Sequence, residues 1–249
     1  MIRDRSFRLP MPMAIFLPAL AAGALALSGC GKADDTAFDA RVHAYLMSHP
    51  EVIQEAIDKL QQKQDARTAA QAKLAIAKNR DAIERDPRDF VANPTGKITV
   101  TEFYDYRCPH CVNAAPAVLS LIQSSPDVRF VFKEFPIFGA ASDKAALAAI
   151  AVKRDGGDYL GVYKDFMAAR PLDEAAVDRI LTAHGVTPAS VNDAQLKASA
   201  TSQLADVRKL AIGIGIEGTP AFIIGDTLVP GEDMDAVSAA IAAERKKGA

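Results

Sequence analysis

Cysteine is scarce in this chain, three among 249 residues, and a strong charge of either sign is missing. Each absence excludes something. A formal net charge of −2 argues against a nucleic-acid binder. The N-terminal apolar run from Met13 to Leu27 covers 15 residues, too few to span a bilayer as an ordinary helix. No internal repeat is evident, and His43, His49 and His184 lack ligand spacing. The one close cysteine pair, Cys108 and Cys111, has no second pair to complete a four-ligand zinc site. Val112 stands where haem attachment needs a histidine.

What is present begins with export. Arg3, Arg5 and Arg8 precede the apolar run, and the combination reads as a secretory signal. The run closes on Leu27-Ser28-Gly29-Cys30, which resembles a bacterial lipobox. That resemblance implies a signal peptide over 1–29, a lipid on Cys30, and a linker over 30–37. Gly31 follows where an aspartate would resemble an inner-membrane retention signal, so a lipid anchor in the outer membrane is favoured. An incidental cysteine near a cleavage site is the plainer alternative. Either way the mature chain works in the periplasm, an oxidising compartment where disulfides persist.

A structural bridge is therefore the first reading of Cys108 and Cys111, and loop length weighs against it. Closing four residues gains only about 2 kcal/mol, against roughly 3 for a loop of 15. A chain this long buries enough core to do without such a staple. Position favours redox chemistry instead. Lys97 to Tyr104 alternates and is rich in β-branched and aromatic residues, as a strand does. The stretch CVNAAPAVLSLIQSS reads as a helix ended by Ser124, Ser125 and Pro126. The cysteines sit at the joint, three apart on one helical face. Pro109 fits there because a first-turn N–H has no intrahelical partner. Cys108 faces the positive end of the helix and is the nucleophile of choice. Cys111, deeper in the helix, would complete exchange by attacking the mixed disulfide. His110 adds a donor or a charge beside the thiolate, or is simply a solvent-facing residue. A different class of function, soft-metal or copper binding by Cys108, His110 and Cys111, stays open here.

These residues carry a resemblance. Cys108-Pro109-His110-Cys111 is similar to the active site of the DsbA family of periplasmic thiol-disulfide oxidoreductases. Pro116 falls where thioredoxin-like proteins kink the active-site helix, and Glu102 matches a buried acid of DsbA. Alternation orients Glu102 independently, because Ile98, Val100 and Glu102 share one strand face. It is either a proton acceptor for Cys111 or a solvated strand carboxylate. Gly218-Thr219-Pro220-Ala221 before an apolar strand resembles the cis-proline loop, which would let Thr219 offer its backbone to a bound substrate chain. Without that resemblance it is a strand entry. Val128 to Phe135 reads as another strand, and Lys133-Glu134-Phe135-Pro136 is similar to the family's substrate-side strand, with no catalytic role assigned. Two departures are the lack of tryptophan and Arg107 before the first cysteine. Thr219 before the proline resembles isomerase relatives more than DsbA.

The predicted fold class is α/β: a thioredoxin fold over 91–249 with a helical insertion at about 142–210, preceded by an N-terminal helical arm over 38–90. In the arm, Phe38, Val42, Tyr45 and Leu46 recur at helical spacing. Ser48-His49-Pro50-Glu51 reads as a capping box restarting a helix, and Val52, Ile53, Ala56, Ile57 and Leu60 form a narrow stripe. The helix is expected to continue to about Arg85. HPEVIQEAI resembles the N-terminal region of the suppressor-of-copper-sensitivity protein C branch, where it can mediate oligomerisation, so residues 38–60 are candidates for self-association or for a spacer. The implied activity is thiol-disulfide exchange with cysteine-containing envelope proteins, leaning to isomerase or reductase work, with a membrane redox partner that resets the site and no cofactor.

Overall fold

The computed structural model describes residues 33–187, 191 and 193–248; Cys30 and the lipobox lie outside them. The chain divides between Leu60 and Gln61 into two units. In the first, α1 (Ala33–Ser48) is followed after a break at Pro50 by the start of α2 (Glu51–Lys78), whose residues from Gln61 on belong to the second. The predicted capping box does not form. Ser48 Oγ donates back to the carbonyls of Ala44 and Tyr45, at 2.9 and 3.0 Å, so the hydroxyl ends α1 instead of starting α2. Phe38, Val42, Tyr45, Ile53, Ile57 and Leu60 are exposed.

The second unit is built on a five-stranded sheet of order β1-β3-β2-β4-β5. Its strands are β1 (Phe90–Ala92), β2 (Ile98–Tyr104), β3 (Val128–Glu134), β4 (Ala221–Ile224) and β5 (Thr227–Pro230). Only β2 and β3 pair in parallel, and α4 (Pro109–Ser124) makes the crossover between them. Alternation divides β2 and β3 between the sheet's two faces. Val100, Tyr104, Phe130 and Phe132 join Val118 of α4 in the larger core cluster. Phe103, Phe135 and Ile223 join Ile76, Ile83 and Val207 in the second.

The insertion between β3 and β4 holds α5 (Ala140–Arg154), α6 (Tyr159–Ala168), α7 (Glu174–Ala183) and α8 (Ala194–Gly213), and α9 (Met234–Lys247) follows β5. Four of these helices start at an aspartate whose carboxylate accepts a first-turn N–H: Asp158, Asp173, Asp193 and Asp233. The expected breaks near Gly156, Pro171 and Gly185 fall between helices, and Arg170-Pro171 is cis.

The single helix expected to run to about Arg85 is revised. The second unit starts at Gln61, and α2 ends at Lys78 before a separate short helix, α3 (Arg80–Glu84). The reason is burial: Ala72, Ile76 and Ile83 are buried, the isoleucines in the second cluster. Asp89 is anchored as well, paired with the buried Lys133, whose ammonium also donates to Ala82 O at 2.6 Å. Gln203 of α8 donates to the same carboxylate at 3.3 Å.

Candidate active site

β2 runs out at Tyr104, and the turn Asp105-Tyr106-Arg107 delivers the chain to Cys108 at the N-cap of α4. Cys108 is extended (φ −70°, ψ 120°) and Pro109 occupies the first turn. That conformation suits the residue preceding a proline. Asp105 holds the turn closed. Its carboxylate accepts from Arg107 N at 2.7 Å, Ser142 Oγ at 2.8 Å, Ile137 N at 2.6 Å and Phe138 N at 3.0 Å. Arg107 in turn donates to Phe138 O at 2.7 Å. Pro116 lies inside α4, where the sequence set it.

Both cysteines are free thiols and both are buried, Cys108 at 2% exposure and Cys111 at 0%. The Cys108 thiol donates to Thr219 O at 3.1 Å, across the cis Thr219-Pro220 bond. Asp105 N donates to Cys111 Sγ at 3.5 Å. The Cys108 thiol is lowered to about 5, first by the Cys111 thiol, then by the Thr219 side chain and the backbone N–H groups of Cys111 and His110, with burial opposing. The contact with Thr219 O needs the thiol hydrogen, so it belongs to the protonated form and works against ionisation. Burial pushes the Cys111 thiol far up. One sulfur is thus ready to attack at neutral pH and the other must lose a tightly held proton.

Glu102 is the nearby acid. It points into the core with Val100 and Tyr104, fully buried, and neither carboxyl oxygen receives a protein hydrogen bond. Burial, then the charge of Glu134, pushes it up to about 8. The solvated-carboxylate alternative for Glu102 is thereby excluded. His110 is 65% exposed, with Nδ1 3.2 Å from Glu232 Oε1. It does not converge with the buried Cys111 on a common ligand position, and among the described residues no group of three or more His, Cys, Asp or Glu could hold a metal ion. A groove of about 300 Å³ runs beside the cysteines, lined by Arg107, Pro109, Val112, Arg170, Pro171 and Leu172 among others.

Sequence reasoning missed Asp105 and the surroundings of Glu134. Asp105 lies in a turn with no periodicity to orient it. Glu134 did carry a signal: Val128, Phe130 and Phe132 alternate toward it, the pattern that orients Glu102. It is buried, and its Oε1 accepts from Tyr104 Oη at 2.5 Å, Tyr106 Oη at 2.9 Å and Tyr159 Oη at 2.7 Å.

Comparison with known proteins agrees with this geometry. Residues 99–242 match the DSBA-like thioredoxin domain, and residues 34–67 match the copper resistance protein ScsC N-terminal domain. The resemblance read from the sequence is borne out in both segments. A thioredoxin-like oxidoreductase from Silicibacter pomeroyi is 36% identical with a TM-score of 0.64, covering 68% of this chain and 98% of that one. ScsC of Proteus mirabilis in a transitional conformation is 30% identical with a TM-score of 0.63, covering 87% of this chain and 99% of its own. The thiol:disulfide interchange protein DsbA of Bordetella pertussis is 30% identical over 137 residues, 52% of this chain and 64% of that protein. The chain spans less than two thirds of the length of the curated relatives it matches.

Proposed function

The chain belongs to the DSBA-like thioredoxin domain family, and from that premise we propose that it is a thiol-disulfide oxidoreductase of the bacterial envelope, exchanging disulfides with cysteine-containing proteins. The observation that carries this reading is the Cys108 sulfur, at a helix N-terminus and 3.1 Å from the backbone of the cis-proline loop. A low thiol at such a site is a nucleophile toward a substrate disulfide. Attack forms a Cys108-substrate disulfide and expels one substrate thiolate. Glu102, once in its carboxylate form, takes the Cys111 proton, the freed sulfur attacks Cys108 Sγ, and the second substrate thiolate leaves. The substrate disulfide is reduced and the pair oxidised; the reverse sequence oxidises a substrate dithiol. Thr219 and Pro220 offer the substrate chain an edge beside Cys108, and His110 tunes the thiolate from its exposed position.

The lean is toward isomerase or reductase work. Thr219 before the proline supports it, and so does an arm able to hold several sites around one substrate, through self-association of residues 38–60. Cys30 carries the lipid anchor after removal of residues 1–29, which places the chain at the periplasmic face, with the outer membrane favoured, and a membrane redox partner resets the pair. Soft-metal ligation by Cys108, His110 and Cys111 is not favoured, since His110 is exposed toward Glu232 while Cys111 is buried. Replacing Cys111 by alanine tests the exchange reading. Substrates should accumulate as mixed disulfides on Cys108, releasable by reductant, and a Cys111→Ala chain that traps none in the periplasm sinks it. Cell fractionation of Cys30→Ser tests the anchor: the variant should leave the membrane fraction.

A further inference from the structure

Glu102 does not sit alone. Register pairs Glu102 with Phe132 and Tyr104 with Glu134, so Glu134 lies one same-face step along β3 from the residue opposite Glu102. The charge of Glu134 raises Glu102, and both carboxyls are buried. Their surroundings differ sharply. Three tyrosine hydroxyls converge on Glu134 Oε1, whereas neither oxygen of Glu102 receives any hydrogen bond from the protein.

Two like charges in one low-dielectric site do not both ionise readily, and the environment decides which one does. Hydroxyl donors stabilise a carboxylate and do little for a neutral acid. Burial raises both carboxyls to about 8. Three hydroxyls oppose the rise at Glu134 and nothing opposes it at Glu102, so Glu134 is the member that gives up its proton first and Glu102 the member that keeps it. The other titratable groups facing the pair are Tyr104 from β2, Asp105 and Tyr106 from the turn, Cys111 from α4, and Tyr159 and Tyr163 from α6. Lys133 lies on the opposite face of β3, against Asp89. Five buried side-chain atoms among the described residues lack a partner, and four of them belong to this cluster: both Glu102 oxygens, Glu134 Oε2 and Tyr163 Oη. Such atoms in a native fold call for a reason, and proton traffic to a buried sulfur supplies one.

Resting on the exchange reading above, we infer that Glu134, cradled by Tyr104, Tyr106 and Tyr159, is a positioning residue that takes the pair's negative charge, keeping Glu102 protonated as the proton donor to Cys111 when the enzyme disulfide opens. In that step an incoming thiolate bonds to Cys108 Sγ and the Cys108–Cys111 bond breaks. The electron pair leaves on Cys111 Sγ, and the Glu102 proton moves to it. The products are a mixed disulfide, a neutral Cys111 thiol and a Glu102 carboxylate, with charge conserved from the attacking thiolate. Without the donor, a bare thiolate would be left at a fully buried position.

The test is stopped-flow opening of the oxidised full-length chain by excess dithiothreitol across pH, with rates divided by the thiolate fraction of the reagent. In the wild type the rate per thiolate falls as Glu102 loses its proton. Glu134→Gln removes the like charge, and the midpoint of that fall moves to lower pH by about one unit or more. Glu134→Met gives the same shift and serves if the glutamine variant folds poorly, because Tyr106 and Tyr159 already lie within 2.9 and 2.7 Å of the Tyr104 hydroxyl and can bond to it instead. Glu102→Gln should abolish the fall. If Glu102→Gln flattens the profile but neither Glu134 variant moves the wild-type midpoint, the inference about Glu134 is overturned and the role of Glu102 stands. A fall that persists in Glu102→Gln removes Glu102 as the donor and the inference with it. A chain that never forms a mixed disulfide on Cys108 fails the exchange reading itself.

Discussion

Cys108 Sγ and the Thr219 carbonyl oxygen face each other at 3.1 Å, so the nucleophile and the backbone that would pair with a substrate meet at one point. The geometry gives the thiol a partner only while it is protonated. Ionisation hands the sulfur to Cys111 and the first turn of α4, which is why the Cys108 thiol lies at about 5 against an ordinary 9.0. Iodoacetamide alkylation of the reduced chain should therefore show one reactive cysteine with a midpoint near 5, and Cys111 should stay unmodified until the protein unfolds. A Cys108 midpoint near the ordinary value would remove the activated-nucleophile claim.

The same shift predicts a pH-dependent preference for the reduced form. An acid depressed on folding contributes stability that is complete above its unfolded value and lost as pH falls through its folded value. For Cys108 the window runs from 9.0 down to about 5. At neutral pH the gain is on the order of 2 kcal/mol, and the oxidised pair, with no thiol to ionise, lacks it. Closing the disulfide loop favours the oxidised chain by a roughly pH-independent amount, so calorimetry of both forms should find the reduced chain gaining on the oxidised one as pH rises from about 5 to neutral. A constant difference over that range would contradict the cause assigned here.

Glu102 carries the opposite sign. Its carboxyl is raised from 4.5 to about 8, so the folded chain holds that proton more tightly than the unfolded chain does. The contribution is fully present below 4.5 and is lost as pH rises through about 8. Glu102→Gln, neutral throughout, should flatten the decline of melting temperature between mildly acidic and mildly alkaline pH. Equal slopes for wild type and variant would mean that Glu102 ionises without cost.

Asp105 offers a structural test of the turn. It is 1% exposed and accepts four hydrogen bonds, three of them from backbone N–H groups. Asp105→Ala strands those donors, at a cost of about 2 to 4 kcal/mol. Urea denaturation should show that loss, together with faster proteolysis around Ile137 and Phe138. A loss below about 1 kcal/mol would show that water replaces the carboxylate readily.

How much of this was legible in the sequence depended on periodicity. The alternation of β2 oriented Glu102, the proline-flanked cysteines marked the strand-helix joint, and glycine and proline placed the breaks of the insertion. Asp105 was not legible, because a turn residue has no period and three of its four donors, Ile137 N, Phe138 N and Ser142 Oγ, come from a distant segment. Glu134 had the alternation but not the three tyrosines, one of which, Tyr159, arrives from α6. Within residues 61–90 the buried apolar side chains are Ala72, Ile76 and Ile83, too sparse a stripe to show in the sequence. Ser48 looked like a cap, yet its hydroxyl reaches the preceding turn as easily as the following one.

The remaining prediction concerns the first unit, where Phe38, Tyr45, Ile53, Ile57 and Leu60 are each about half exposed or more, from 49% to 68%. A run of large apolar side chains left in water on two successive helices loses what burial would provide, about 25 cal/mol per Å², and a second copy of the same helices is a surface that could cover it. We expect a chain starting after Cys30 to exceed the monomer mass in light scattering. Ile53→Lys combined with Ile57→Lys should return it to a monomer. Neither residue is near the cysteines in sequence, so alkylation of Cys108 should be unchanged in the double variant while refolding of a scrambled multi-disulfide substrate slows. If the unsubstituted chain runs as a monomer, or the double variant refolds the scrambled substrate as fast as wild type, the arm is a spacer and the isomerase lean loses its support.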